Sequence, residues 1–302
     1  MIRKITINDA EYPKNLRNIH TPPKQLYING TLIEQDEVAV AIVGSRRASI
    51  YGLETAEKLG FELAARGVTV VSGMAIGIDS AAHKGALKAK GRTIAVMGSG
   101  HNYIYPRQNK KLYEEIAKTG VVVTEYADDI KPFPGQFPAR NRIISGLSLG
   151  VVIVEAAKNS GALITANFAA EQGRTVFAVP GKVSSATSSG TNELIRDGAC
   201  LIQSVDDILQ ELSIAEISPA AEEGKGALEG KISRQTKAYI YNSLTDDERK
   251  VYKSLSDEPM HIDDVLERSG IDRARASKVL LNLELKKLVV QLPGKQYVRK
   301  EN

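Results

Sequence analysis

The sequence predicts an α/β protein, with a doubly wound, mostly parallel sheet followed by a small C-terminal winged-helix domain. Three observations carry this. From Val38 to about Leu212, strand and helix patterns alternate. The strand segments are continuous apolar runs, as expected of strands covered by helices on both faces. Residues 241–302 read as three helices and a β-hairpin, the layout of a winged helix.

The central stretch runs from Val38 to His83. The strand Val38–Val43 breaks at Gly44-Ser45-Arg46-Arg47-Ala48-Ser49, and a helix follows to about Arg66. A second strand, Val68–Val71, breaks at Ser72-Gly73-Met74-Ala75-Ile76-Gly77-Ile78-Asp79. Two strands joined by a helix are parallel, so both turns lie on one sheet edge. Both are rich in small residues and lead into helices, whose N–H groups and dipoles favour an anion. Arg46 and Arg47 add positive charge, and a phosphate-binding edge is the first expectation.

Residues 1–37 read as a lead-in packing on the main domain, with Leu26–Ile28 a short strand before an Asn29-Gly30 turn. After the central stretch come a helix at about 80–90, the strand Thr93–Met97, a helix near 109–118 and the strand Val121–Thr124. A helix near Arg140–Leu147, the strand Val151–Val154, a helix at about 163–172 and the strand Thr175–Val179 complete the domain, read as 38–212. Its ligand site is expected at the carboxyl edge of the sheet. Residues 213–240, rich in Ala, Glu, Gly, Ser and Lys, read as a flexible linker. In residues 241–302, Thr245 and Glu248 form a capping-box start. The third helix there exposes Arg273, Arg275 and Lys278. Acidic residues nearly balance the basic ones, so DNA reading stands level with a protein-interaction or structural role.

The chain has 302 residues, with 40 Lys and Arg against 36 Asp and Glu, so its net charge of +4 is too small to indicate nucleic acid by itself. The single cysteine, Cys200, excludes an intrachain disulfide and fits a reducing compartment. No apolar run approaches the ~20 residues of a membrane span, and the N-terminus lacks a signal-peptide core. A cytoplasmic protein is expected.

Gly44-Ser45-Arg46-Arg47 is neither the dinucleotide fingerprint nor a Walker A loop. An ordinary turn with solvated arginines would also explain it, but the second turn repeats the chemistry and favours an anion site. Phe137-Pro138-Ala139-Arg140-Asn141-Arg142 joins an aromatic, two arginines and an amide, which suits a single strand whose bases stack while its phosphates pair. A core Phe137 with solvated arginines explains it equally. Ser160-Gly161 opens another small-residue turn, either an anion site or merely a tight turn, and Lys182 is placed on the same edge. Gly146–Gly150 matches G-x-S-x-G, but with helix before and strand after, the reverse of a nucleophile elbow. His20, His83, His101 and His261 have no metal-ligand spacing. Asp79 and His83, four apart on a helix, could interact, mainly in a structural role. No catalytic set, metal site or cofactor is implied.

The segments Val40–Arg46, Val71–Asp79, Phe137–Ser148 and Ser160–Ala166 resemble, in the same order, the motifs of the bacterial DNA-processing protein A family (DprA/Smf). The resemblance spans roughly residues 12–210, and the tail resembles the winged helix many members carry. The sequence looks too short at its N-terminus for the additional helical domain of longer members. The resemblance implies an extended Rossmann-like domain that binds single-stranded DNA without catalysis. It also implies homodimerisation through that domain, protection of incoming DNA during natural transformation, and loading of RecA. Gly44, Ser45, Arg46, Arg47 and the turn Ser72, Gly73, Met74, Ala75 and Gly77 would hold phosphates. Phe137, Arg140, Asn141 and Arg142 would line the strand path, which decides Phe137 in favour of function. Ser160, Gly161 and Lys182 are further candidates. Two alternatives are a nucleotide-processing N-glycosidase and a duplex-binding regulator acting through the winged helix. Against the first, Pro180-Gly181-Lys182 only begins like the Pro-Gly-Gly-x-Gly-Thr motif of those enzymes.

Overall fold

A computed structural model describes residues 2–214, 245–255, 260–285, 289–292 and 294–299. They fall into two compact units, one within residues 1–220 and one within 221–302. The linker expected at 213–240 lies, beyond Ile214, outside the described residues. No helix among them is long and apolar enough to cross a membrane.

The first unit is built on one sheet. Its strands are β1 (Arg3–Thr6), β2 (Gln25–Gly30), β3 (Ala39–Val43), β4 (Thr69–Ser72), β5 (Thr93–Val96), β6 (Val121–Thr124), β7 (Gly150–Ile153), β8 (Thr175–Ala178) and β9 (Cys200–Leu201). The spatial order is β1-β2-β6-β5-β4-β3-β7-β8-β9. Strands β3 to β9 are mutually parallel, and β1 and β2 join antiparallel beside β6. The helices are α1 (Lys14–Arg17), α2 (Ile50–Ala65), α3 (Ile78–Lys88), α4 (Lys110–Thr119), α5 (Gln136–Gly146), α6 (Gly161–Glu171), α7 (Ser189–Arg196) and α8 (Val205–Glu211).

Alternate residues of a central strand enter different cores. Ala41 and Val43 pack with Val151 and Ile153 on one face, while Val40 and Ile42 pack with Val152 and Val154 on the other. Both faces are buried, which explains the unbroken apolar strands. From β3 the chain steps through β4 and β5 to β6, then returns to place β7 on the other side of β3. The sheet therefore reverses direction between β3 and β7, where a ligand crevice opens at the carboxyl ends.

Two local expectations change. Asn29-Gly30 is not a turn, because β2 runs through both residues and pairs with β6. Gly30 takes φ +108°, and a Cβ there would meet the backbone of Gly120 and Val121. The lead-in is thus part of the sheet, locked by Tyr12, whose hydroxyl donates to the Pro23 carbonyl at 2.7 Å. Helix α5 begins at Gln136, ahead of Arg140, with Pro138 in the first turn, where a missing N–H costs nothing.

Asp79 and His83 do not bond to each other as the helical spacing suggested. His83 Nδ1 lies 2.7 Å from Thr93 Oγ1, whose own proton goes to the Val70 carbonyl, so the imidazole is the donor. His83 Nε2 is buried without a partner among the described residues. Burial lowers the His83 pKa from 6.5 to about 3. The unfolded chain therefore binds this proton first as pH falls. The stability His83 supports is complete above about pH 6.5 and is lost on going down toward pH 3, by at most about 1.4 kcal/mol per pH unit. His83→Gln should flatten the fall between those limits in denaturant titrations. An unchanged pH profile would contradict the buried neutral imidazole.

The second unit holds α9 (Asp246–Ser254), β10 (Met260–His261), α10 (Ile262–Ser269), α11 (Arg273–Leu285), β11 (Val289–Leu292) and β12 (Gln296–Arg299). The capping box is formed, with Glu248 N donating to Thr245 Oγ1 at 3.3 Å and Thr245 N donating to Glu248 Oε2 at 2.9 Å. Gly270 ends α10 in the left-handed region at φ +66°. Val251, Val265, Leu280, Leu283 and Tyr297 fill the core, and β10-β12-β11 form the wing sheet. Arg275 and Lys278 of α11 are exposed, and Arg275 pairs with Asp272 at 3.2 Å.

Candidate nucleic-acid interface

Where the sheet reverses, the loops after β3 and β7 meet. Ser45 N donates to the Glu155 carbonyl at 2.8 Å, and Ile78 N donates to the Ser45 carbonyl at 3.3 Å. Gly77, at φ +80°, takes a conformation that suits glycine, and a Cβ would strike the Ser45 carbonyl. A cleft of about 860 Å³ opens over this junction. Its walls include Gly44–Arg47, Ala75, Phe137, Asn141, Lys158–Ala162 and Thr187.

Two of the backbone sites nominated for anions are filled from within. Asp79 Oδ2 accepts from Gly73 N at 3.1 Å and Ala75 N at 3.3 Å. Asn109 Nδ2 donates to the Met74 carbonyl at 2.7 Å, helping to hold Met74 at φ +59°. At the start of α2, the buried Glu155 carboxylate accepts from Ser49 N at 2.9 Å and Ser49 Oγ at 2.6 Å. The loops have the shape of anion nests, but the protein's own carboxylates occupy them. The cations that remain open to solvent at the cleft are the rim side chains Arg46, Arg47 and Lys158.

Arg46 and Arg47 stand exposed at the β3 loop. The Arg46 guanidinium carbon lies 5.7 Å from the Phe137 ring centre, a cation–π distance. Tyr105 also packs against Phe137, with ring centres 5.4 Å apart. Gly98 lets the Phe137 ring lie close, since a Cβ would come within 2.8 Å of Phe137 Cδ1. Across the cleft, Lys158 and Asn159 are exposed just before α6. Ser160 caps that helix, accepting from Ala162 N at 3.3 Å, and Asn141 Nδ2 donates to the Gly161 carbonyl at 3.3 Å.

Of the residues expected to touch DNA, Gly44, Ser45, Arg46, Arg47, Ala75, Phe137, Asn141, Ser160 and Gly161 line this cleft. Arg140 also borders it but is no free cation. It is 4% exposed, and its Nη1 donates to the Gly73 and Val96 carbonyls. Burial lowers its pKa to about 10, while burial raises that of Asp79 against the opposing pull of Arg140. Arg140 therefore braces the floor. Arg142 is likewise engaged, bonding Glu125 at 2.5 and 2.9 Å and the Thr21 carbonyl at 3.1 Å, which ties α5 to the lead-in. Ser72, Gly73 and Met74 are buried, with Ser72 Oγ donating to the Ile42 carbonyl at 2.6 Å. Gly77 borders a smaller neighbouring cleft, and Lys182 is exposed outside the cleft wall.

Lys158, Asn159, Thr187 and Tyr105 were not expected at the site. Lys158 and Asn159 directly precede the nominated Ser160-Gly161 turn, so a cation and an amide beside it were a readable signal. Tyr105 and Thr187 come from distant loops, and only the fold brings them in.

Residues 3–213 match the family model described as DNA recombination-mediator protein A, and residues 236–295 match that of the DprA winged helix domain. The chain is 43% identical to the DNA processing protein DprA of Bacillus subtilis over 213 residues, covering 70% of this chain and 71% of that protein. It is 39% identical to Protein Smf of Escherichia coli over 294 residues, covering 96% and 76%. The crystal structure of DNA processing protein A from Streptococcus pneumoniae aligns with TM-score 0.67 at 42% identity, over 70% of this chain and 74% of that one. DNA processing protein A from Helicobacter pylori, whose structure gives insight into its single-stranded DNA binding mode, aligns with TM-score 0.63 at 34% identity, over 70% and 96%. Fold, motifs and relatives agree, and the chain belongs to the DNA recombination-mediator protein A family, the DprA/Smf proteins.

Proposed function

We propose that this protein binds single-stranded DNA in the cleft between β3 and β7, without sequence specificity and without catalysing a reaction on it. The carrying observation is the Arg46–Phe137 pair at the cleft mouth, a ring for a base beside a cation for a phosphate. Arg47 and Lys158 supply charge on either side. Contacts to phosphates and base faces discriminate little between sequences, which supports non-specific binding. The single-stranded DNA binding mode of the H. pylori relative supports single strands as ligand. The matched family's description as a recombination mediator supports a recombinase, RecA, as the recipient of the bound strand. A cytoplasmic homodimer as the working form belongs to the same proposal.

Fluorescence anisotropy with labelled oligo-dT and an equal-length duplex tests this reading. Three rim cations predict a log–log salt slope near −2, so affinity for the single strand should fall about 20-fold between about 50 and about 200 mM salt. The duplex should bind more weakly throughout. Equal duplex affinity, or no salt dependence, would overturn the assignment. Release of free base from nucleoside monophosphates would instead favour the N-glycosidase alternative.

A further inference from the structure

We propose that the loops after β5 and β6 form a second stacking surface, on which single-stranded nucleic acid leaving the cleft lays further bases. The inference rests on the cleft being the single-strand site, and it extends the path past Phe137. Tyr105 is the bridge, because it packs against Phe137 and is still 49% exposed. On the same loops Tyr103 is 36% exposed and Phe133 is 66% exposed, two further aromatic side chains with surface open to solvent. Lys131 Nζ lies 5.9 Å from the Tyr103 ring centre, repeating beside a second ring the cation-on-aromatic arrangement of Arg46 and Phe137. A ring and a cation side by side suit a nucleotide, whose base stacks while its phosphate pairs.

The surface is held in shape. Gly100 N donates to the Ile130 carbonyl at 2.8 Å, and Asn102 N donates to the Asp128 carbonyl at 3.1 Å, stitching the two loops together. A Cβ on Gly100 would come within 2.6 Å of Asp128 backbone atoms, so this approach needs glycine. Ser99 Oγ donates to the Tyr103 carbonyl at 2.7 Å, and Phe133 N donates to Gln136 Oε1 at 2.8 Å, anchoring the loop to the first turn of α5. These bonds fix the backbone and involve neither ring. Asp129 is also exposed here, so phosphates are directed to the Lys131 side.

The test compares a short oligo-dT of about six nucleotides, enough for the cleft, with one of about fifteen. Binding is measured for wild type, Tyr103→Ala, Phe133→Ala and Tyr103→Phe, each checked by thermal melting. Wild type should bind the longer oligonucleotide more tightly. Each alanine variant should lose about 5-fold to 100-fold on the long oligonucleotide and less than about 3-fold on the short one. Tyr103→Phe, which keeps the ring, should bind like wild type. If both folded alanine variants bind the long oligonucleotide within about twofold of wild type, the stacking surface is wrong while the cleft stands. If wild type binds neither oligonucleotide, the single-strand reading of the cleft fails, and this extension with it.

Discussion

Arg46→Glu should lose single-strand binding, with affinity falling about 100-fold or more at low salt. One change removes a phosphate partner, adds a repelling carboxylate at the cleft mouth and takes away the cation over Phe137. Arg46 is exposed, so the melting temperature should stay within about 2 °C of wild type. Arg47→Glu should lose less, about 10-fold, because Arg47 contributes charge without a described ring partner. Anisotropy on the two variants, with circular dichroism as the folding control, checks both values. Wild-type affinity in a folded Arg46→Glu protein would remove the cleft from consideration.

Arg140→Ala should act through stability. The guanidinium is buried beneath the β4 loop, bonds two carbonyls and opposes Asp79. Removing it strands the Gly73 and Val96 carbonyls and leaves a buried carboxyl without its cation. Such losses cost about 3–5 kcal/mol, which for a domain of this size lowers the melting temperature by roughly 6–20 °C. The wild-type loop is packed tightly onto this pair, since a Cβ on Gly73 would sit 2.5 Å from Arg140 Nη1 and 2.7 Å from Asp79 Oδ2. Calorimetry decides the role. A variant that melts like wild type but binds DNA poorly would make Arg140 a strand contact after all.

The architecture was legible because apolar runs and small-residue turns are local signals. The runs 40–43 and 151–154 announced buried parallel strands, and Gly44 and Gly73 marked the ends of β3 and β4. What the sequence hid was the partner of each charged side chain. Arg46 and Arg140 look alike in one dimension. One stands in solvent over Phe137, and the other lies under a loop contributed by residues far away in the chain. Glu155 gave no sign that it would occupy a nest nominated for phosphate, because its contact with Ser49 spans 106 residues and depends on the β3–β7 pairing. Asp79 lies only six residues from Gly73, but its carboxyl reaches back only because the β4 loop folds over the first turn of α3. Asn29-Gly30 misled for a related reason. Its turn chemistry was overridden by pairing with β6, a strand more than 90 residues later.

The most direct test of the cleft is the position of a bound oligonucleotide, seen in a crystal structure of the protein with oligo-dT. The expected result is a backbone passing between Arg46 and Lys158, with a base against Phe137 and no phosphate in the nests held by Asp79 and Glu155. An oligonucleotide bound only on the winged helix, or with its phosphates displacing those carboxylates, would contradict the assignment.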